Sequence, residues 1–121
     1  MVDDRQHWPT ELRVRDGGRT FRITFDDGAS YDLSAEYLRV KSPSAEVQGH
    51  SPADRKVVGG KRDVAIVAAD PVGHYAVKLR FDDGHDTGLF TWRYLHELGA
   101  TQATVWAAYL ADLEAKGLAR G

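Results

Sequence analysis

What most constrains this chain is apolar alternation with a period of two, broken by Asp-Gly turns. Leu12 and Val14 alternate with Glu11, Arg13 and Arg15, and Phe21, Ile23 and Phe25 with Arg22, Thr24 and Asp26. Tyr75, Val77, Leu79 and Phe81 alternate with Ala76, Lys78, Arg80 and Asp82. Strands of this kind turn one face to a core and the other to water, as in antiparallel sheets. Residues 64–69 are apolar on both faces and read as a central strand. Asp16-Gly17-Gly18 links the first two runs, and Asp27-Gly28 and Asp83-Gly84 carry the residues that tight hairpins demand. Asp70-Pro71-Val72-Gly73 reads as a turn with proline at its second position. Two β-meanders result, over residues 11–33 and 64–90.

An internal repeat accompanies them. Phe25-Asp26-Asp27-Gly28 returns as Phe81-Asp82-Asp83-Gly84, and Leu33 as Leu89. Tyr37-Leu38 returns as Tyr94-Leu95 after one inserted residue. Each copy is expected to be a hairpin followed by a short helical turn capped near Ser34 or Thr91. Either the two halves are structurally repeated, or Phe-Asp-Asp-Gly is simply a common hairpin.

Near the C-terminus the period changes. Trp106, Tyr109, Leu110 and Leu113 follow the i, i+3, i+4, i+7 spacing of an amphipathic helix over residues 101–116, with Gly117 as its stop. Its stripe either docks on the chain's own core or forms a face for a partner or for a second copy of the chain. Residues 40–62 have no period and hold five basic side chains (Lys41, Arg55, Lys56, Lys61, Arg62) against Glu46 and Asp54. Such a loop is either an anion- or acid-binding segment or a solvated face.

Composition removes several classes of function. With no cysteine, disulfides, thiolate metal centres and cysteine nucleophiles are excluded. A net charge of −2 leaves no electrostatic footprint for nucleic acid or anionic membrane. No apolar run approaches a bilayer span, and the polar N-terminus is unlike a signal peptide, so a cytoplasmic location is expected. A nucleophile elbow, a P-loop, a dinucleotide fingerprint and a paired-histidine helix motif are all missing from the sequence. The candidates for chemistry are therefore histidines and acids at turns. His85 lies between Asp83-Gly84 and Asp86, and His50 closes the segment that begins at Ser42. Beside carboxylates, an imidazole serves as a metal ligand, a general base or a plain hydrogen-bonded surface group. Trp92 and Tyr94 are expected to plug the core.

Residues 38–50 (LRVKSPSAEVQGH), 71–76 (PVGHYA) and 81–95 (FDDGHDTGLFTWRYL) together resemble the γ-butyrobetaine hydroxylase-like N-terminal domain family, in order, over residues 8–98. In carnitine-pathway hydroxylases this module precedes a separate iron/2-oxoglutarate oxygenase domain and holds a structural zinc with three cysteines and one histidine. The resemblance places those cysteines at Ser42, Ser44 and Val47 and the histidine at His85. The module also occurs alone in bacteria and fused to P-loop iron–sulfur cluster carriers.

The expectation is thus one α+β domain over residues 1–121: an antiparallel meander core of about six strands, short helices after the hairpins, and a C-terminal helix. No catalytic residues and no cofactor are expected, a structural zinc being unsupported once its thiolates are replaced. The alternative is a weak iron or zinc site, or an iron–sulfur-linked accessory role, using His50 and His85 with Asp83 or Asp86. The favoured role is a non-catalytic module for a protein partner, its face formed by Arg39, Ser42, Ser44, His50, Asp83, His85, Asp86 and Trp92. Arg39 either contacts a partner carboxylate or pins the loop through an internal salt bridge. A homodimer through Trp106, Tyr109, Leu110 and Leu113 is compatible with both roles.

Overall fold

The structure, a computed structural model, describes residues 7–44, 47 and 57–121. Alternation and turn chemistry build two antiparallel three-stranded sheets. The first comprises β1 (Pro9–Arg15), β2 (Thr20–Phe25) and β3 (Ser30–Ser34), in that order. The second comprises β4 (Ile66–Val72), β5 (Ala76–Phe81) and β6 (Gly88–Thr91). After each sheet comes a helix with a hydroxyl cap: α1 (Ala35–Val40), where Ser34 Oγ accepts the Tyr37 N–H, and α2 (Trp92–Ala100), where Thr91 Oγ1 accepts the Tyr94 N–H. A third helix, α3 (Gln102–Ala115), ends in a Schellman turn, with Gly117 N–H donating to Glu114 and Leu118 N–H to Leu113.

The inward residues of both sheets meet in one apolar cluster. Phe21, Ile23, Leu33, Val77, Leu79 and Phe90 are fully buried there, with Leu38 of α1 and Leu95 of α2. Burying each such side chain is worth about 1.5–3 kcal/mol. The strand count, antiparallel pairing and α+β class agree with the sequence expectation.

Three local expectations are corrected. The run at residues 64–69 does not form a central strand: β4 is an edge, and Val67 is 61% exposed. Pro71 is consistent with this, since proline cannot donate to a second neighbour and belongs on sheet edges. Asp70, Pro71 and Val72 lie in β4, paired with Lys78, Val77 and Ala76, so the turn falls later, at Gly73, His74 and Tyr75. The second hairpin leads into a nine-residue helix, not a short turn, and α2 is separated from α3 by Thr101 alone.

The stripe of α3 packs on its own chain. Tyr109 and Leu113 are buried against Val40, with Val57, Val58 and Trp106 at the margin, and the Tyr109 hydroxyl donates to the Val58 carbonyl at 2.6 Å. Leu110 stays 38% exposed.

Candidate functional site

The Asp-Asp-Gly hairpins form two hydrogen-bonded clamps of the same design. In the second, Asp83 Oδ1 accepts the His85 N–H at 3.0 Å, which closes the turn. Its Oδ2 accepts from Arg39 Nε at 2.7 Å, on α1, and from Lys61 Nζ at 2.6 Å, ahead of β4. Burial alone would push this carboxyl's pKa up. Hydrogen bonds from Lys61, the His85 N–H and Arg39 outweigh burial and hold it at about 2.

In the first hairpin Asp27 Oδ1 accepts the Ala29 N–H at 2.9 Å. Its Oδ2 lies 2.9 Å from His96 Nε2, on α2, and 3.3 Å from His7 Nδ1, ahead of β1. Here the Ala29 N–H, then His96, lower the carboxyl's pKa. Each turn thus grips the helix that follows the other sheet. Tyrosines repeat the crossing: Tyr37 of α1 donates to the Leu98 carbonyl of α2 at 2.7 Å, and Tyr94 of α2 donates to the Lys41 carbonyl at the end of α1 at 2.5 Å. The sequence repeat is therefore structural, since both copies make corresponding bonds.

The motif residues converge beside the Asp83 clamp. Ser42 Oγ and His85 Nε2 share a hydrogen bond of 2.9 Å, Ser42 Oγ accepts the Ser44 N–H, and Ser44 and Thr87 hydroxyls lie 2.6 Å apart. Ser42, Ser44, His85 and Val47 are all buried. Trp92 is buried too, its indole N–H donating to the His74 carbonyl. Asp86 is exposed and His50 lies outside the described residues. Arg39 forms the internal salt bridge. Sequence reasoning singled out Asp83 and His85 but missed Lys61 as a clamp residue, and missed the group of His7, Asp27 and His96. The repeat carried the missing signal: moving from Asp83 to the matching Asp27 leads to that group.

The profile described as Gamma-butyrobetaine hydroxylase-like, N-terminal matches residues 12–96. The chain belongs to this family. Two proteins with NMR solution structures are similar to it. One is 46% identical with a TM-score of 0.83, over 95% of this chain and 90% of the other. The second is 45% identical with a TM-score of 0.83, over 99% and 89%. A protein of unknown function from Acidithiobacillus ferrooxidans, of the DUF971 family, is similar at 42% identity and a TM-score of 0.64, over 76% of this chain and 92% of its own, in a crystal structure. No curated protein matches significantly.

The γ-butyrobetaine hydroxylase-like resemblance implies a zinc at Ser42, Ser44, Val47 and His85, and these residues do not fit one. Valine offers no ligand atom, the Ser42 hydroxyl is bonded to His85 Nε2, and the Ser44 hydroxyl to Thr87. Hydrogen bonds tie the same loop to the same hairpin here.

Proposed function

We propose that this chain is a non-catalytic interaction module of the γ-butyrobetaine hydroxylase-like N-terminal family. The observation that carries this reading is how the motif's polar groups are spent. The Asp83 carboxylate, the Arg39 guanidinium, the His85 imidazole and the Ser42 and Ser44 hydroxyls all bond to partners within the chain. A general base or nucleophile must also be reached by a reacting atom, and Ser42 and His85, though hydrogen-bonded to each other, are both buried. Such bonding suits a scaffold that fixes the surface around it.

That surface is a groove of about 620 Å³ between the end of α1, α2 and the start of α3. Val40, Lys41 and Pro43 line one wall, Glu97, Thr101 and Thr104 the other. A mixed polar and apolar lining suits a polypeptide segment carrying both kinds of side chain. In this arrangement the Ser42–His85 and Ser44–Thr87 bonds hold the chain next to Lys41 and Pro43, and the Arg39–Asp83 pair sets the end of α1.

Capture from soluble extract on the untagged full chain, coupled to a resin, tests the reading. One protein should be retained by the native chain and by Val67→Ser, lost with Thr104→Arg, and reduced with Arg39→Ala. The same protein retained by Thr104→Arg would sink the proposed face. Release by a chelator, together with loss of capture in His50→Gln or His85→Gln, would favour the metal- or iron–sulfur-linked role through His50 and His85. Turnover of 2-oxoglutarate with iron(II) and γ-butyrobetaine would overturn the non-catalytic reading.

A further inference from the structure

The two clamps share a design and differ in the chemistry of their cations. At Asp83 both partners, Arg39 and Lys61, are hydrogen-bond donors only and offer no lone pair. At Asp27 both partners are imidazoles, which become metal ligands once the facing nitrogen sheds its proton. From this contrast we infer that His7, Asp27 and His96 form a binding site for a borderline divalent transition ion such as zinc. It lies apart from the family's cysteine-and-histidine position.

The facing atoms, His7 Nδ1, Asp27 Oδ2 and His96 Nε2, all lie within 4.8 Å of one another. Among the described residues no other group of three potential ligands comes together in this way. Two of the three are already fixed. Asp27 is held by the Ala29 N–H through its other oxygen, which leaves Oδ2 aimed at the imidazoles. His96 is walled edge-on by Phe25 at 4.8 Å and Tyr31 at 5.7 Å between ring centres. The two rings limit how far the His96 imidazole can turn. His7 is the third member, packed edge-on against Phe25 at 6.4 Å between ring centres. It stacks on His96 at 3.9 Å with planes 10° apart. Parallel rings cannot both contain the same ion in their planes, so uptake must tilt His7 out of the stack. The side chains of His7 and His96 are 32% and 19% exposed, which leaves an approach for a hydrated ion. Two nitrogens and one carboxylate oxygen favour zinc or nickel over magnesium or calcium, with water completing the shell.

The test is calorimetric titration of the untagged full chain with zinc chloride at pH 7.5, followed by NMR of the histidine ring protons. The expected result is saturable uptake of one ion per chain, with shifts confined to the rings of His7 and His96. Asp27→Asn keeps an acceptor for the Ala29 N–H but removes the charge, so the turn survives. The binding heat should be lost in Asp27→Asn and in His96→Gln, both checked for native circular dichroism, and retained in His74→Gln. Acidification should weaken it, because protons compete with the ion for its ligands. Absence of saturable heat overturns the inference. So does heat that persists in both Asp27→Asn and His96→Gln, or that disappears in His50→Gln or His85→Gln instead.

Discussion

A single carboxylate illustrates how this chain spends its charge. Asp83 is held at a pKa of about 2, against 3.8 for an ordinary aspartate, by cations from two separate segments. A carboxyl depressed on folding stabilises the native state above its unfolded pKa, and that contribution disappears as the pH falls through the folded one. Stability should therefore decline between about pH 4 and pH 2, and Asp83→Asn should flatten the decline while lowering stability at neutral pH. Urea denaturation at stepped pH reads both effects. The neighbouring Ser42, Ser44 and Val47 permit a test by gain. The triple replacement Ser42→Cys, Ser44→Cys, Val47→Cys restores the donor set that the family resemblance implies, beside the His85 imidazole. Elemental analysis should find one zinc per chain more in this variant than in the native chain, and its thermal midpoint should fall on chelation.

Among the elements, α1 and α2 carry the crossed bonds, and their hydroxyls are the place to measure the coupling. Tyr37→Phe and Tyr94→Phe each leave a carbonyl without its donor, at a cost of about 1–3 kcal/mol. Because the two bonds join the same pair of helices, the double variant should lose less than the sum, and a double-mutant cycle by urea denaturation measures the difference. The approach of α2 to the first sheet makes a second demand. A methyl group at Gly99 would come within 2.4 Å of the Tyr31 ring. Gly99→Ala should therefore destabilise by about 1–3 kcal/mol through overpacking, with a matching drop in thermal midpoint. The elements differed in how far they could be read in advance. Strict alternation revealed β2 and β5 because their environments are two-sided, one face on the core and one in water. Strand β4 misled because a run apolar on both faces imitates a central strand, and the counter-signal, Pro71, also fits a turn. The site was legible in part for a related reason. Asp83 and His85 stand next to each other in the sequence, whereas Asp27 meets His96 only across 69 residues, by a tertiary crossing that no local pattern encodes.

For the whole molecule, two similar halves share one apolar cluster, and each clamp draws one of its partners from the other half. Cut apart, the first sheet with α1 would lose the partner for the Tyr37 hydroxyl, and α2 the partner for Tyr94. Polypeptides 1–50 and 51–121, made separately, are expected to lack cooperative thermal transitions and to regain one on mixing, as differential scanning calorimetry would show. The reciprocity explains why. Residue i of one half touches residue j of the other while j′ of the first touches i′ of the second, which is the contact pattern of a two-fold homodimer. The halves relate to each other as subunits do, with a peptide connection in place of a concentration-dependent association. One consequence is freedom to diverge. In a true homodimer any change at the clamp appears twice, but here the second half keeps arginine and lysine around its carboxylate while the first carries two imidazoles around the equivalent one. Fusion of this kind lets one end of a symmetric fold remain a fixed brace while the other changes the chemistry of its partners.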